Sequence, residues 1–116
     1  MKELKIKRVY DAPSSDDGVR ILVDRLWPRG LKKEDAHLDF WDKDIAPSNE
    51  LREWFGHKPE RFDEFSKKYM QELKAHKDRL KEIKDMLKTK NVTLVYAAKD
   101  TNDNQAVVLK KVIDKA

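Results

Sequence analysis

Val92-Thr93-Leu94-Val95-Tyr96-Ala97-Ala98 is the most strand-like run of the chain. Val, Thr and Tyr favour pleated backbone, and a run that is apolar on both alternating faces belongs inside a sheet with both sides covered. That reading decides the fold, because a strand of this kind sits at the centre of a parallel sheet. Val19-Arg20-Ile21-Leu22-Val23-Asp24 has the same character and predicts a second buried strand with Asp24 at its C-terminal end. Leu4 to Tyr10 starts as apolar/polar alternation and predicts a half-buried strand. Asp11 to Gly18 between them is turn chemistry throughout.

Helices fill most of the rest. Ser48 is a good N-cap, Leu51, Trp54 and Phe55 give an apolar side, and Gly56 is a natural stop. Pro59 suits the first turn of the next helix. Phe62, Phe65, Tyr69, Leu73, His76, Leu80, Ile83 and Leu87 follow at spacings of three and four. This stretch is one long helix or two with a break near 75–78; a helix of ~30 residues is long for a small domain, which favours two, and the pattern alone does not decide. Asn102, Asp103 or Asn104 caps a last helix carrying Ala106, Val107, Val108, Leu109, Val112 and Ile113. Residues 31–45 fit neither period. The expected fold is therefore a single α/β domain over residues 1–116, with a mostly parallel sheet of three or four strands and helices on both faces.

Composition narrows the function. The chain has 116 residues, 26 basic and 22 acidic side chains and a net charge of +4. Residues 1–33 carry net +4, 34–65 net −6 and 66–116 net +6, so an acidic middle interrupts the basic flanks. That disfavours a general nucleic-acid module, which shows one strongly basic face. Cysteine is absent, which removes disulfides, thiol nucleophiles and thiolate zinc sites. No two histidines stand at i, i+4 spacing, so no metal site is expected, and no cofactor is implied. No apolar run approaches the ~20 residues of a membrane span, and the N-terminus lacks a secretory stretch, so a cytoplasmic location is expected.

Ligands of open parallel α/β sheets bind beyond the carboxyl ends of the strands. Two segments lie there. Asp24-Arg25-Leu26-Trp27-Pro28-Arg29-Gly30 offers a carboxylate, two guanidiniums and an indole. Guanidinium forks suit phosphate or carboxylate, and an indole offers a stacking face. Lys99-Asp100-Thr101-Asn102-Asp103-Asn104 leads into a helix N-terminus, which favours anions. Arg25, Trp27, Arg29, Lys99 and Asn104 are candidate ligand-binding residues, with Asp24 and Asp100 as candidate acid/base groups. The alternative reading makes Asp24 and Arg25 a structural ion pair and Trp27 core. His57, at a helix-to-helix junction, is a third catalytic candidate on its titration range, with helix capping as its alternative. The favoured function is binding of a small phosphate- or carboxylate-bearing ligand. Nucleic-acid association through Arg20, Arg25, Arg29, Lys32 and Lys33, with Trp27 or Trp54 on bases, is the second reading. A protein interface through Trp41, Trp54 and Phe55 is the third. The residues do not by themselves say whether a reaction occurs or whether the protein self-associates.

Arg8-Val9-Tyr10-Asp11, the run from Asp17 to Gly30, Ile45-Ala46-Pro47-Ser48, Leu51 to His57 and Thr93 to Asp100 together resemble the YeaO-like bacterial proteins, a family of unknown activity (domain of unknown function 488). That family has been likened to the rhodanese and phosphatase group, which implies a rhodanese-like fold. In rhodaneses a nucleophilic cysteine follows the tyrosine of a strand like Val95-Tyr96. Here that position is Ala97, so sulfur transfer and cysteine-phosphatase chemistry through this loop are excluded. What the resemblance leaves is an anion-binding loop feeding a helix.

Overall fold

The computed structural model describes residues 2–116. Four strands form one sheet: β1 (Leu4–Arg8), β2 (Val19–Leu22), β3 (Phe40–Trp41) and β4 (Val92–Tyr96). All neighbours pair in parallel, in the order β1-β4-β2-β3. β4 is buried at every position, as its unbroken apolar run requires. Leu4 faces Val92 across the β1–β4 ladder and Val19 faces Val92 across β2–β4, so the last strand in sequence is wedged between the first two.

The pleat sorts the side chains into two unlike layers. Leu4, Ile6, Val19, Ile21, Val23, Val92, Leu94 and Tyr96 point into the main core. Four helices cover that face: α2 (Asn49–Phe55), α3 (Phe62–Leu73), α4 (Lys77–Met86) and α5 (Gln105–Lys115). Phe55, Phe65 and Tyr69 lie in a row across it, with Phe55 and Phe65 stacked at 4.4 Å. The Tyr69 hydroxyl donates to the Ile45 carbonyl at 2.6 Å, so the one polar atom of this buried ring is satisfied.

The opposite face carries a smaller cluster of Val9, Leu22 and Val95 under Trp27, Leu31, Leu38 and Trp41. Its cover is the segment after β2, including the single-turn α1 (Lys33–Ala36). The rest of that face is ionic. Arg20 is buried, and its guanidinium pairs with Asp17 at 2.6 Å and donates to the carbonyls of Ala36 and His37. Lys7 meets Asp17 at 3.1 Å, and the Thr93 hydroxyl donates to the Asp17 carbonyl.

The local signals act as their chemistry requires. The Ser48 hydroxyl accepts from Leu51 N–H, and Gly56 closes α2 in the left-handed region. Glu72 on α3 accepts from both the backbone and the hydroxyl of Ser48, which fixes α2 against α3. Residues 62–86 are two helices joined by a tight turn at Lys74–His76. Asn104 caps α5 by accepting from Val107 N–H. Residues 31–45, unreadable by period, contain α1, β3 and a turn at Lys43–Ile45, each too short to show one. Asp42 holds that segment to α4 through both oxygens on Arg79.

Candidate functional site

β2 and β4 are neighbours and parallel, so the chain leaves both at the same edge of the sheet. There the two loops form the walls of a cavity of about 630 Å³. The turn after α2 adds His57 to its border. Asp24, Arg25, Trp27, Arg29, His57, Lys99, Asp100 and Asn104 all border it. Arg52, Phe55, Phe65 and Gln105 border it as well, although the sequence pattern does not point to them.

Two arginines set the walls. The Arg25 Nε and Nη2 donate to the carbonyls of Pro47 and Ala46 at 2.9 and 3.0 Å. No ion pair with Asp24 forms. The Arg8 Nε donates to Ala98 O at 2.9 Å and so holds the loop after β4. Trp27 is half-buried, with its indole N–H on the Leu31 carbonyl and its ring edge-on to Trp41 at 5.3 Å. Its orientation is thus fixed while one side still borders the cavity.

Asp24 lies at the cavity floor. One carboxylate oxygen accepts Ala97 N–H at 3.0 Å, and the other accepts from the Gln105 amide. Burial pushes its pKa up to about 6, against the pull of those two donors. An acid raised in the folded state opposes folding at neutral pH, and the penalty disappears as pH falls through about 6 towards the unfolded value of 3.8. About two pKa units correspond to about 3 kcal/mol. Asp24→Asn loses about 1 kcal/mol of hydrogen bonding. It is therefore expected to stabilise the protein by about 2 kcal/mol at pH 7.5, with the gain lost near pH 4. Urea unfolding of both proteins at the two pH values checks this, and a gain independent of pH would contradict it.

The remaining candidates divide by what their polar groups already do. The Asp100 carboxylate accepts from Asp103 and Asn102 N–H at 2.9 Å each, which holds its pKa below the usual range. It is a turn-former. Asn104 is buried and spends its amide on Val107 N–H and the Asp100 carbonyl, so its part is to shape the loop. His57 sits at φ 56° directly after left-handed Gly56, and this double turn brings its ring to the cavity. Arg29, Arg52, His57 and Lys99 are exposed at the rim. Among the described residues the only ion pair that any of them makes is Arg52 with Glu53, at 4.0 Å in solvent. No cluster of three or more His, Cys, Asp or Glu able to hold a metal occurs among the described residues.

The other two readings lose members. Arg20 is spent inside the ionic layer and is closed to phosphates. Phe55 belongs to the main core, so it offers no protein interface. No helix among the described residues is long and apolar enough to cross a membrane.

Fold and site together define a small parallel α/β domain with a cation-rimmed cavity and no thiol at the loop that lines it. The chain belongs to the family described as the inactive DUF488-N3 subclade, which matches residues 3–116. It is similar to uncharacterized protein YeaO of Escherichia coli, 48% identical over 106 residues that span 91% of this chain and 92% of that one. Uncharacterized proteins Rv3073c of Mycobacterium tuberculosis and Mb3100c of Mycobacterium bovis are each 42% identical over 111 residues, 96% of this chain and 93% of theirs. No solved structure matches it.

Proposed function

We propose that this protein binds a small anionic ligand, phosphate- or carboxylate-bearing, in the cavity at the C-terminal edge of its sheet. The observation that carries this reading is the set of cations on one hollow: Arg25, Arg29, Arg52 and Lys99 border it. Arg25 meets only neutral carbonyls, and no carboxylate neutralises Arg29 or Lys99 among the described residues. A cavity of this volume, bordered by Trp27, Phe55 and Phe65 and a few convergent polar groups, matches small-molecule sites in general. The subclade is described as inactive, which favours binding without turnover. The nucleic-acid reading keeps Arg25, Arg29, Lys32 and Lys33, but Arg20 is buried and cannot complete a phosphate track.

Thermal shift with a panel of phosphomonoesters, carboxylates and inorganic phosphate tests the proposal. A ligand present at 100 times its Kd adds about 2.7 kcal/mol, a rise in Tm of about 10 °C for a domain of this size. Charge-assisted hydrogen bonds are worth about 1.5–3 kcal/mol. Arg29→Ala and Arg52→Ala are each expected to weaken binding about tenfold or more. Flat melting curves of the wild type across the whole panel would overturn the reading.

A further inference from the structure

Asp24 is a desolvated carboxylate with no positive partner. Its two donors, Ala97 N–H and the Gln105 amide, are neutral. Among the described residues no Lys, Arg or His forms an ion pair with it. Arg25, the adjacent residue, turns its guanidinium away to the carbonyls of Ala46 and Pro47. Buried charges in proteins are ordinarily paired. Each carboxylate oxygen offers about two acceptor positions, and here only one on each is filled from the protein. The cavity therefore has two unlike poles: cations at its rim and a lone carboxylate at its floor. Trp27, Phe55 and Phe65 supply apolar surface bordering the same space.

Resting on the anion-binding reading, we infer that the ligand is amphoteric. It carries an anionic group for Arg29, Arg52 and Lys99, and a protonated nitrogen or N–H donor that docks on Asp24. An aromatic or aliphatic body joins the two and lies against Trp27 and the phenyl rings. A ligand with an anionic end alone leaves the half-buried Asp24 carboxylate uncompensated, so the floor selects against it.

Two isosteric probes and inorganic phosphate separate the outcomes in calorimetric titrations at pH 7.5. The probes are 4-(aminomethyl)phenylphosphonate and 4-ethylphenylphosphonate, alike in shape and differing in the ammonium group. The wild type is expected to bind the amine probe at least tenfold more tightly than the ethyl probe. Asp24→Asn is expected to bind the two with equal affinity. Gln105→Ala removes one competing donor from the carboxylate and is expected to widen the preference beyond that of the wild type. It reads the same carboxylate without removing its charge. Phosphate binding with no amine preference in the wild type overturns this inference and leaves the anion reading intact. A preference that survives Asp24→Asn, or is unmoved by Gln105→Ala, also overturns it. Failure of phosphate and of both probes overturns the anion reading and this inference with it.

Discussion

Arg20→Ala is expected to destabilise the protein by about 3–5 kcal/mol, the usual cost of removing one partner from a buried ion pair. The guanidinium satisfies three acceptors at once: Asp17 and the carbonyls of Ala36 and His37. Its loss leaves the buried Asp17 carboxylate with only Lys7 and the Ser14 N–H, and two carbonyls at the end of α1 without donors. Arg20→Lys restores charge without the fork and is expected to recover less than half of the loss. The ionic layer also sets acid sensitivity. Burial by itself raises the Asp17 pKa, and the Ser14 N–H, Lys7 and Arg20 together more than reverse it, so the net shift is downward. A depressed acid adds stability above its unfolded pKa of 3.8 and loses it as pH falls through the lower folded value. Removing Arg20 should therefore start acid unfolding at a higher pH. Urea unfolding at neutral pH measures the first effect, and a loss below about 1 kcal/mol would mean that the pair is dispensable.

Gly18→Ala is expected to cost about 3 kcal/mol or more and to lower Tm by about 10 °C. A Cβ at Gly18 would meet the Asn91 backbone oxygen at 2.1 Å, a distance that no relaxation of a side chain relieves. The backbone there, at φ 63° and ψ −131°, is open to glycine and closed to other residues. Asn91 cannot retreat cheaply. Its carbonyl accepts Val19 N–H, and its side chain bonds Glu3 N–H and the Asp16 carbonyl, so it joins the starts of β1, β2 and β4. Gly30 is the internal control. It has φ 75°, but no atom lies within 4 Å of where its methyl would stand, so Gly30→Ala is expected to cost only about 1 kcal/mol. Equal melting temperatures for the two variants would refute the close-approach argument.

The sheet was legible because its central strands are continuous apolar runs, and two adjacent parallel strands place their exits side by side. That geometry is why the strand-end rule picked the two loops that wall the cavity. α2 was legible through Ser48 and Gly56, and the break in the long helical stretch through its length alone. Arg52 and Gln105 were missed because both lie on helices, where the facing side depends on packing. Arg52 did carry a signal, since it stands three residues before buried Phe55 and so at the edge of the packed side of α2. Arg20 misled for the opposite reason. Its alternation with Val19 and Ile21 puts it on the second face with Leu22, but only the cover formed by residues 27–38 makes that face an interior. That cover has too few residues per element to announce itself. In the sequence Asp100 and Asn104 carry two readings at once, because Asp and Asn serve turns and caps with the same oxygens that serve ligands.

The placement of β4 between β1 and β2 has a consequence for how the chain reaches this state. β1 and β2 are not neighbours; β1 has no partner, and β2 only the two residues of β3, until β4 begins at Val92. A nascent chain on the ribosome holds its first strand unmatched until nearly everything else has been made. Assembly is then dominated by sequence-distant pairing, which is slow. Fragments that stop before Val92 should keep at most the two-residue β2–β3 pairing, and the early segments depend on their dense charge to stay out of aggregates during that interval.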